Sequence, residues 1–131
     1  GRVVIDVGAG TGVLSMLAAR EGGAARVYAV EASADAARLA RGLIRQNHLE
    51  STVTVVEGLA EEVELAEADV VISEWMGFYL LHESMLGSVL AVRDKWLKPG
   101  GLMLPSSARV WIAPVENTEL QRQVEGFANF Y

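Results

Sequence analysis

The sequence has no cysteine, which excludes disulfide bonds and thiolate metal sites and makes an intracellular protein the default expectation. It has only two histidines, His48 and His82, which do not make a metal-ligand cluster, so we predict that no metal is bound. Hydrophobic residues make up 51% of the 131 positions. No window, however, reaches the ~18 unbroken apolar residues that indicate a membrane span. We therefore expect no membrane partner.

Positive charge is also scarce. Lys and Arg number 11 against 17 Asp and Glu, which gives a formal net charge of −6. Contacts to a phosphate backbone need clustered Lys and Arg, so this composition disfavours nucleic acid as a direct partner and would suit a cationic one. The chain begins at Gly1, directly before an apolar run and without the charged and apolar regions of a signal peptide. Such a start is typical of a truncation boundary.

Short β-branched runs alternate with runs of helical spacing along the chain. Strands are predicted at residues 2–7, 25–31, 52–58 and 68–74. Helices are predicted at residues 13–23, 32–49 and 82–97, and extended structure at residues 102–114. Strands that alternate with helices form βαβ units, whose right-handed crossovers give an α/β fold with a doubly wound, mainly parallel sheet. We assign residues 1–114 to this domain and predict that residues 115–131 begin a linker or a truncated C-terminal domain.

A glycine-rich stretch, DVGAGTGV, joins the first strand to the first helix. Gly8, Gly10 and Gly12 allow positive φ angles and the close approach of a ligand, and three alternating glycines exceed what a tight turn alone needs. A dinucleotide loop has the pattern G-x-G-x-x-G, and its helix N-terminus receives a pyrophosphate. Here Val13 stands where the third glycine or an alanine would be. Asp6 would repel phosphate but attract the cationic amino-acid end of S-adenosylmethionine, so the pattern favours that cofactor over NAD.

A second acidic position, Glu31, closes the second strand 21 residues after Gly10. Near this spacing a carboxylate can accept hydrogen bonds from both ribose hydroxyls of a nucleoside, and we prefer this interpretation to a solvated charge at a helix start. After the third strand, Glu57 and Glu61 lie where an adenine ring is expected. An acidic surface loop explains these two residues almost as well.

The stretch SEWMGFYLLHESM, residues 73–85, holds Glu74 and Glu83 among apolar and aromatic residues. Ligands of open α/β sheets bind outside the carboxyl ends of the strands, and Glu74 is at that end of the fourth strand, which should neighbour the first. Two carboxylates in a partly apolar pocket need a counter-cation, because isolated buried charge is expensive. Arg93 and Lys95 lie on a helix that should run away from the pocket. A planar guanidinium, which two carboxylates can hold from two sides, fits better.

These motifs together resemble the protein arginine N-methyltransferases, and the resemblance covers nearly the whole chain. VVIDVGAGTGVLS is similar to the family's first S-adenosylmethionine motif, VYAVEAS to its second, and VISEWMGFYLLHESML to its double-glutamate loop. The stretch LLHESML is similar to the type I branch, which makes asymmetric dimethylarginine, and the nuclear histone-modifying members resemble the chain most. A Rossmann-like class I methyltransferase core over residues 1–114 is therefore implied.

The resemblance implies methyl transfer from S-adenosylmethionine to the guanidinium of arginine in a protein or peptide, with S-adenosylhomocysteine as product. It implies that Glu74 and Glu83 bind the guanidinium. The implied cofactor contacts are Asp6, Gly8 and Gly10 around the methionine end, Glu31 at the ribose, Glu61 near the adenine and Met85 beside the methyl site. Within the loop, Trp75 and Met76 are equally well explained by core packing. We interpret His82 as structural and His48 as a solvated helix end.

The family also has an N-terminal helix that folds over the cofactor and a C-terminal β-barrel with a dimerisation arm, and neither is recognisable in this sequence. We therefore expect a nuclear or cytoplasmic enzyme whose isolated core binds the cofactor weakly, turns over poorly and lacks the family's homodimer contact. The alternatives are a methyltransferase with another acceptor, such as a small amine, and a non-catalytic module for cofactor sensing or protein binding. An NAD enzyme is disfavoured by Val13.

Overall fold

Residues 1–122 are described by a computed structural model of the chain, in which strands and helices alternate. The strands are β1 (Val3–Val7), β2 (Arg26–Glu31), β3 (Val53–Glu57), β4 (Ala68–Ile72) and β5 (Leu97–Leu104). The helices are α1 (Val13–Arg20), α2 (Ala34–Gln46) and α3 (Leu86–Trp96). This order confirms the predicted βαβ alternation.

The five strands form one parallel sheet in the order β3-β2-β1-β4-β5. Strand β1 is central, and its Asp6 lies in register with Ala29 of β2 and Ile72 of β4. The prediction that the fourth strand neighbours the first is therefore confirmed. Strands β2 and β3 lie on one side of β1, and the chain then crosses to add β4 and β5 on the other side. The carboxyl ends of β1, β2 and β4 therefore border one crevice.

Helices cover both faces of the sheet, as the doubly wound prediction requires. Because successive strand residues point to opposite faces, Val4 packs in the core beneath α1 and α2, whereas Ile5 packs in the core beneath α3. Helix α2 buries Ala37, Ala40 and Ile44, which recur at helical spacing on one face. The predicted N-cap of this helix is also confirmed, since the Ser33 hydroxyl accepts a hydrogen bond from the Ala36 amide at 3.3 Å.

Helix α3 begins at Leu86, four residues later than the predicted start at residue 82. Residues 81–85 form turns instead, and Ser84 has a φ of 57°, in the left-handed region that a right-handed helix cannot contain. Glu83 therefore lies on a turn. At the other end, β5 starts directly after Trp96, and the register between β4 and β5 shifts near Ala68 and Val70. The KPGG stretch thus ends the helix, as predicted, but lies inside the bounds of the edge strand.

Strand β5 ends at Leu104, directly before Pro105, which has no amide to extend a sheet. The extended structure predicted for residues 102–114 is therefore a strand only up to residue 104, and residues 107–117 have no regular structure. Helical residues follow at 118–122, where Asn117 Oδ1 accepts from the Glu119 and Leu120 amides at 3.0 and 3.1 Å. The division at residue 114 stays a prediction, and residues 123–131 lie outside the described part. No helix within residues 1–122 is long and apolar enough to cross a membrane.

Candidate functional site

The predicted site residues follow three adjacent strands. The glycine loop, residues 8–12, leaves β1, Glu31 ends β2, and Ser73 and Glu74 follow β4. Since β2, β1 and β4 are neighbours and parallel, these positions share one edge of the sheet. This is the edge at which open α/β sheets bind ligands.

Left-handed backbone shapes the glycine loop. Gly8, Gly10 and Gly12 have φ angles of 71°, 55° and 81°, a region that is strained for residues with a side chain. The amides of Gly8 and Ala9 both donate to the Val30 carbonyl, at 3.0 and 2.9 Å, which holds the loop against β2. No atom lies within 4 Å of the place where a Cβ on Gly10 would stand. The middle of the loop therefore offers bare backbone to a ligand.

Asp6 lies beneath this loop and is 1% exposed. Its Oδ2 accepts a hydrogen bond from the Ser15 hydroxyl at 2.7 Å, and its Oδ1 is buried with no hydrogen-bond partner within residues 1–122. Burial raises the pKa of Asp6 to about 6, although hydrogen bonds from Ser15 lower it, and the charge of Glu31 raises it slightly further. A buried carboxylate oxygen that lacks a donor fits a cationic ligand group, not a phosphate.

Glu31 reaches across to the glycine loop. Its Oε2 accepts from the Gly10 amide at 2.7 Å, and its Oε1 accepts from the Ser33 amide at 2.7 Å. Each carboxylate oxygen keeps a second lone pair, so both can still accept a bond from a ligand hydroxyl. The structure thus brings together the acid and the loop that the sequence spacing had paired.

The two acids proposed for the adenine region have protein partners. Glu61 is exposed and accepts a hydrogen bond from the Ser88 hydroxyl on α3, and this bond lowers the pKa of Glu61. Glu57 forms an ion pair with Arg41 of α2 at 3.1 Å. Glu61 is therefore held on the α3 side of the crevice, whereas Glu57 is engaged by α2.

The glutamate segment, residues 73–85, is tied to the end of β1 at one end and to the glycine loop at the other. At the first end, the buried Ser73 hydroxyl donates to the Val7 carbonyl at 2.7 Å, so Glu74 starts beside the last residue of β1. At the other end, the terminal Cε of Met85 lies where a Cβ on Gly8 would stand. The segment leaves the end of β1 and returns to the glycine loop.

Between these ends the segment folds on itself. The backbones of Gly77 and Leu80 exchange hydrogen bonds of 3.1 and 2.9 Å. A Cβ on Gly77 would lie 2.6 Å from Glu83 Cγ, so the Glu83 side chain packs against the glycine. The His82 ring stands edge-on to Phe78, with centroids 6.2 Å apart, which fits the structural role predicted for this histidine. Glu83 therefore owes its place to a compact turn.

The core residues of the segment are also assigned by the structure. Trp75 is buried in the core beneath α3, and Met76 packs at the edge of that core. Core packing, which the sequence left at even weight with loop shaping, is thus observed for both residues. His48 follows the end of α2, is exposed and has a φ of 58°, in the left-handed region.

One physical premise of the sequence interpretation is wrong. Glu74 and Glu83 are exposed, not enclosed in an apolar pocket, so burial does not force a counter-cation on them. Within residues 1–122 neither has a hydrogen-bond or ion-pair partner. As predicted, the cations of α3 are directed elsewhere, because Lys95 pairs with Glu64 and Arg93 pairs with its neighbour. Glu74 and Glu83 are therefore exposed, unpaired carboxylates on a segment whose ends contact β1 and the glycine loop.

Three further residues hold the site and were not predicted from the sequence. Ser15 binds Asp6, Ser73 joins the glutamate segment to β1, and Gly77 admits Glu83. The signal for the serines was present, since each is a lone hydroxyl at the end or start of an apolar element. Within residues 1–122 there is no group of three or more Asp, Glu or His that could hold a metal ion.

Known proteins share this sequence and this architecture. Residues 4–101 match the methyltransferase domain family. The probable protein arginine N-methyltransferase 6.2 of Oryza sativa subsp. indica is 59% identical over 119 residues, which are 90% of this chain and 30% of that protein. Protein arginine methyltransferase 10 of Arabidopsis thaliana, solved in an open conformation, has a TM-score of 0.91 at 47% identity, over 98% of this chain and 37% of that one.

A third relative is PRMT1 of Trypanosoma brucei, solved as an enzyme–prozyme heterotetrameric complex with AdoHcy. It has a TM-score of 0.74 at 46% identity, over 78% of this chain and 32% of that one. The chain thus spans about a third of the length of these relatives. It belongs to the methyltransferase domain family, and over that third it is homologous to the cofactor-binding core of the protein arginine N-methyltransferases.

Proposed function

We propose that this chain is the core of a protein arginine N-methyltransferase, which transfers methyl groups from S-adenosylmethionine to arginine side chains of proteins. The observation that carries the proposal is the attachment of the glutamate segment at both of its ends, through Ser73 to Val7 at the end of β1 and through Met85 to Gly8 of the glycine loop. These contacts hold the segment that carries Glu74 and Glu83 next to the loop. The names of the relatives agree with this activity.

The residues present fit the cofactor. Bare backbone at Gly10, beside Gly8, can receive the methionine end, while the buried Asp6 supplies negative charge below it. Glu31 has lone pairs for the ribose hydroxyls, Glu61 lies at the α3 side for the adenine, and Met85 lies over the loop where the methyl group would be. S-adenosylmethionine supplies an activated methyl group on a sulfonium. The AdoHcy of the trypanosome relative supports the choice of cofactor.

Glu74 and Glu83 would bind the arginine side chain by accepting hydrogen bonds from its guanidinium. This draws positive charge toward the nitrogens that face the carboxylates and leaves one terminal nitrogen directed at the methyl group. The new N–C bond forms as the C–S bond breaks, with its electron pair staying on sulfur, and the methylated nitrogen releases a proton to solvent. Alignment and charge placement supply most of the rate, and prior deprotonation of the guanidinium is unnecessary.

Finer features belong to the same proposal. The type I character of LLHESML supports asymmetric dimethylation, and the resemblance to nuclear members supports histones among the substrates, with a nuclear or cytoplasmic location. The heterotetramer of the trypanosome relative supports assembly of more than one chain in the whole protein. The acidic balance of −6 suits a cationic protein partner.

The test uses two proteins: this chain, and a chimera in which the chain replaces the homologous third of the rice relative. Each is incubated with methyl-labelled S-adenosylmethionine and either an arginine-rich peptide or the same peptide with lysine for arginine. We expect mass spectrometry to find label on arginine only, stronger with the chimera. Glu74→Gln should abolish labelling in the chimera while cofactor affinity persists.

The matched control is Glu67→Gln, which neutralises an exposed glutamate outside the segment and should leave labelling unchanged. Label on lysine alone would contradict the arginine acceptor, and label on a small amine alone would favour the other methyltransferase class. Cofactor binding without any labelling by the chimera would favour the non-catalytic module.

A further inference from the structure

Asp6 and Ser15 flank the glycine loop in the chain and are joined by a hydrogen bond beneath it. Asp6 is the fourth residue of β1, before the loop, and Ser15 lies in the first turn of α1, after it. The serine is 0% exposed, the aspartate 1%, and their side chains meet at 2.7 Å. The buried Ser15 hydroxyl cannot donate a hydrogen bond to solvent, so it donates to the Asp6 carboxylate instead.

The surroundings of Asp6 leave its charge unbalanced. On the α1 side, Asp6 accepts a hydrogen bond from the Ser15 hydroxyl. On the β2 side, the negative charge of Glu31 raises the pKa of Asp6. On the β4 side, the apolar Ile72 lies beside Asp6 in register. No cation within residues 1–122 forms an ion pair with it, and its Oδ1 has no donor there. Within the described chain, Ser15 is therefore the only side chain that donates to this carboxylate.

We propose that Ser15 is a positioning residue, which keeps Asp6 ionised and oriented beneath the loop so that the cationic methionine end of S-adenosylmethionine finds a negative charge there. This inference rests on the cofactor assigned above. It assigns Ser15 to the binding step through Asp6, without contact between Ser15 and the cofactor.

Two opposing effects set the charge state of Asp6. Burial favours the neutral acid, and the hydrogen bonds from Ser15 favour the carboxylate. With the pKa at about 6, most of the Asp6 population is ionised at neutral pH. Removal of a hydrogen bond to a charged group raises such a pKa by about one unit or more. Without the Ser15 hydroxyl, therefore, much of Asp6 would be neutral at pH 7 and would no longer attract a cation.

The first measurement is the affinity of the chimera described above for S-adenosylmethionine from pH 5 to 9, by calorimetry. In the unsubstituted chimera we expect affinity to fall as the pH drops through about 6. In Ser15→Ala the pH midpoint of this loss of affinity should rise by about one unit or more. Ser15→Thr, which keeps the hydroxyl, should return the midpoint to its value in the unsubstituted protein. The matched control is Ser73→Ala, which also removes a buried hydroxyl near the end of β1 but one that binds a carbonyl. It should not move the midpoint.

The second measurement needs no ligand: the carboxyl carbon of Asp6 is followed by NMR as the pH is varied. Ser15→Ala should raise the midpoint of this titration, whereas Ser73→Ala should not. An unmoved Asp6 midpoint, or an affinity loss in Ser15→Ala that is equal at every pH, would overturn the role of Ser15. Failure of the unsubstituted chimera to bind S-adenosylmethionine at any pH would instead overturn the proposed cofactor, and the inference with it.

Discussion

The terminal Cε of Met85 lies against Gly8, in the space that a side chain on Gly8 would occupy. The two residues belong to different parts of the site, since Gly8 opens the glycine loop and Met85 ends the glutamate segment. The far end of the segment is therefore linked to the loop by an apolar contact, and not by a hydrogen bond or an ion pair. A glycine is needed here for two reasons, its left-handed backbone and the methionine above it.

Gly8→Ala should lower the free energy of unfolding by about 1–2 kcal/mol through its left-handed backbone, and by more because the new methyl group would collide with Met85. The destabilisation caused by the collision is measurable by urea denaturation of the two single variants and of the double variant, Gly8→Ala combined with Met85→Ala. We expect the combined loss to be smaller than the sum, by at least about 0.5 kcal/mol. Gly10→Ala, with similar φ but open space around it, should be additive with Met85→Ala. Additivity in both pairs would refute the contact.

Gly77→Ala should impair methyl transfer by the chimera while leaving its affinity for S-adenosylmethionine nearly unchanged. The added Cβ would lie 2.6 Å from Glu83 Cγ and 3.0 Å from its backbone nitrogen, so Glu83 must move. A displacement of about 1 Å at a substrate-positioning residue costs about 100-fold in rate. Initial rates and calorimetry separate the two effects. Gly87→Ala, on α3 with open space around its Cβ, is the control and should keep the full rate; equal rates for both variants would contradict the packing argument.

Glu31→Gln should weaken binding of S-adenosylmethionine by about 10–100-fold, the equivalent of a lost charged hydrogen bond of about 1.5–3 kcal/mol. The amide keeps the shape of the side chain but loses its charge and one acceptor, so the bond to either the Gly10 or the Ser33 amide is also weakened. Calorimetry measures the affinity, and Glu50→Gln at an exposed position serves as control. Unchanged affinity in Glu31→Gln would show that Glu31 binds no ribose.

Asp6→Asn should stabilise the ligand-free chain at neutral pH. The folded-state pKa of about 6 exceeds the ordinary 3.8, so the folded state binds a proton at Asp6 more tightly than the unfolded state does. The free energy of unfolding therefore falls as the pH rises from about 4 through 6. At pH 7 the buried charge costs about 3 kcal/mol, from the two-unit difference at 1.36 kcal/mol each. Denaturation at several pH values should find the variant more stable above pH 6 and no advantage near pH 4. Parallel profiles for the two proteins would contradict a buried, ionised Asp6.

The parallel sheet, with its fourth strand beside the first, could be predicted because β-branched runs and helical runs alternate along most of the chain. The start of α3 could not. Helical spacing continues from residue 82 to residue 97 in the sequence, and nothing in that spacing reveals that Ser84 takes a left-handed conformation. The path of a turn depends on what its side chains meet, here Glu83 against Gly77, and that contact is tertiary.

The sequence predicted which residues the site contains better than how deeply they lie. Asp6, expected near the loop, lies buried under it, because a residue inside a central strand is covered on both faces. Conversely, Glu74 and Glu83 were expected in an apolar pocket, because aromatic residues surround them in the sequence. Two of those aromatics are outside the core, with Phe78 81% and Tyr79 93% exposed, whereas Trp75 is buried. Apolar neighbours along a chain do not establish burial in space.

The bond from Ser73 to Val7 spans 66 positions of the chain, and this separation orders the assembly of the site during folding. Strands β1 and β2, with α1 between them, bring the glycine loop and Glu31 together through short closures. The glutamate segment joins them only when β4 has inserted beside β1, against the larger closure entropy of a long intervening chain. We therefore expect a partly folded chain to hold the glycine loop and Glu31 together before Glu74 and Glu83 reach them.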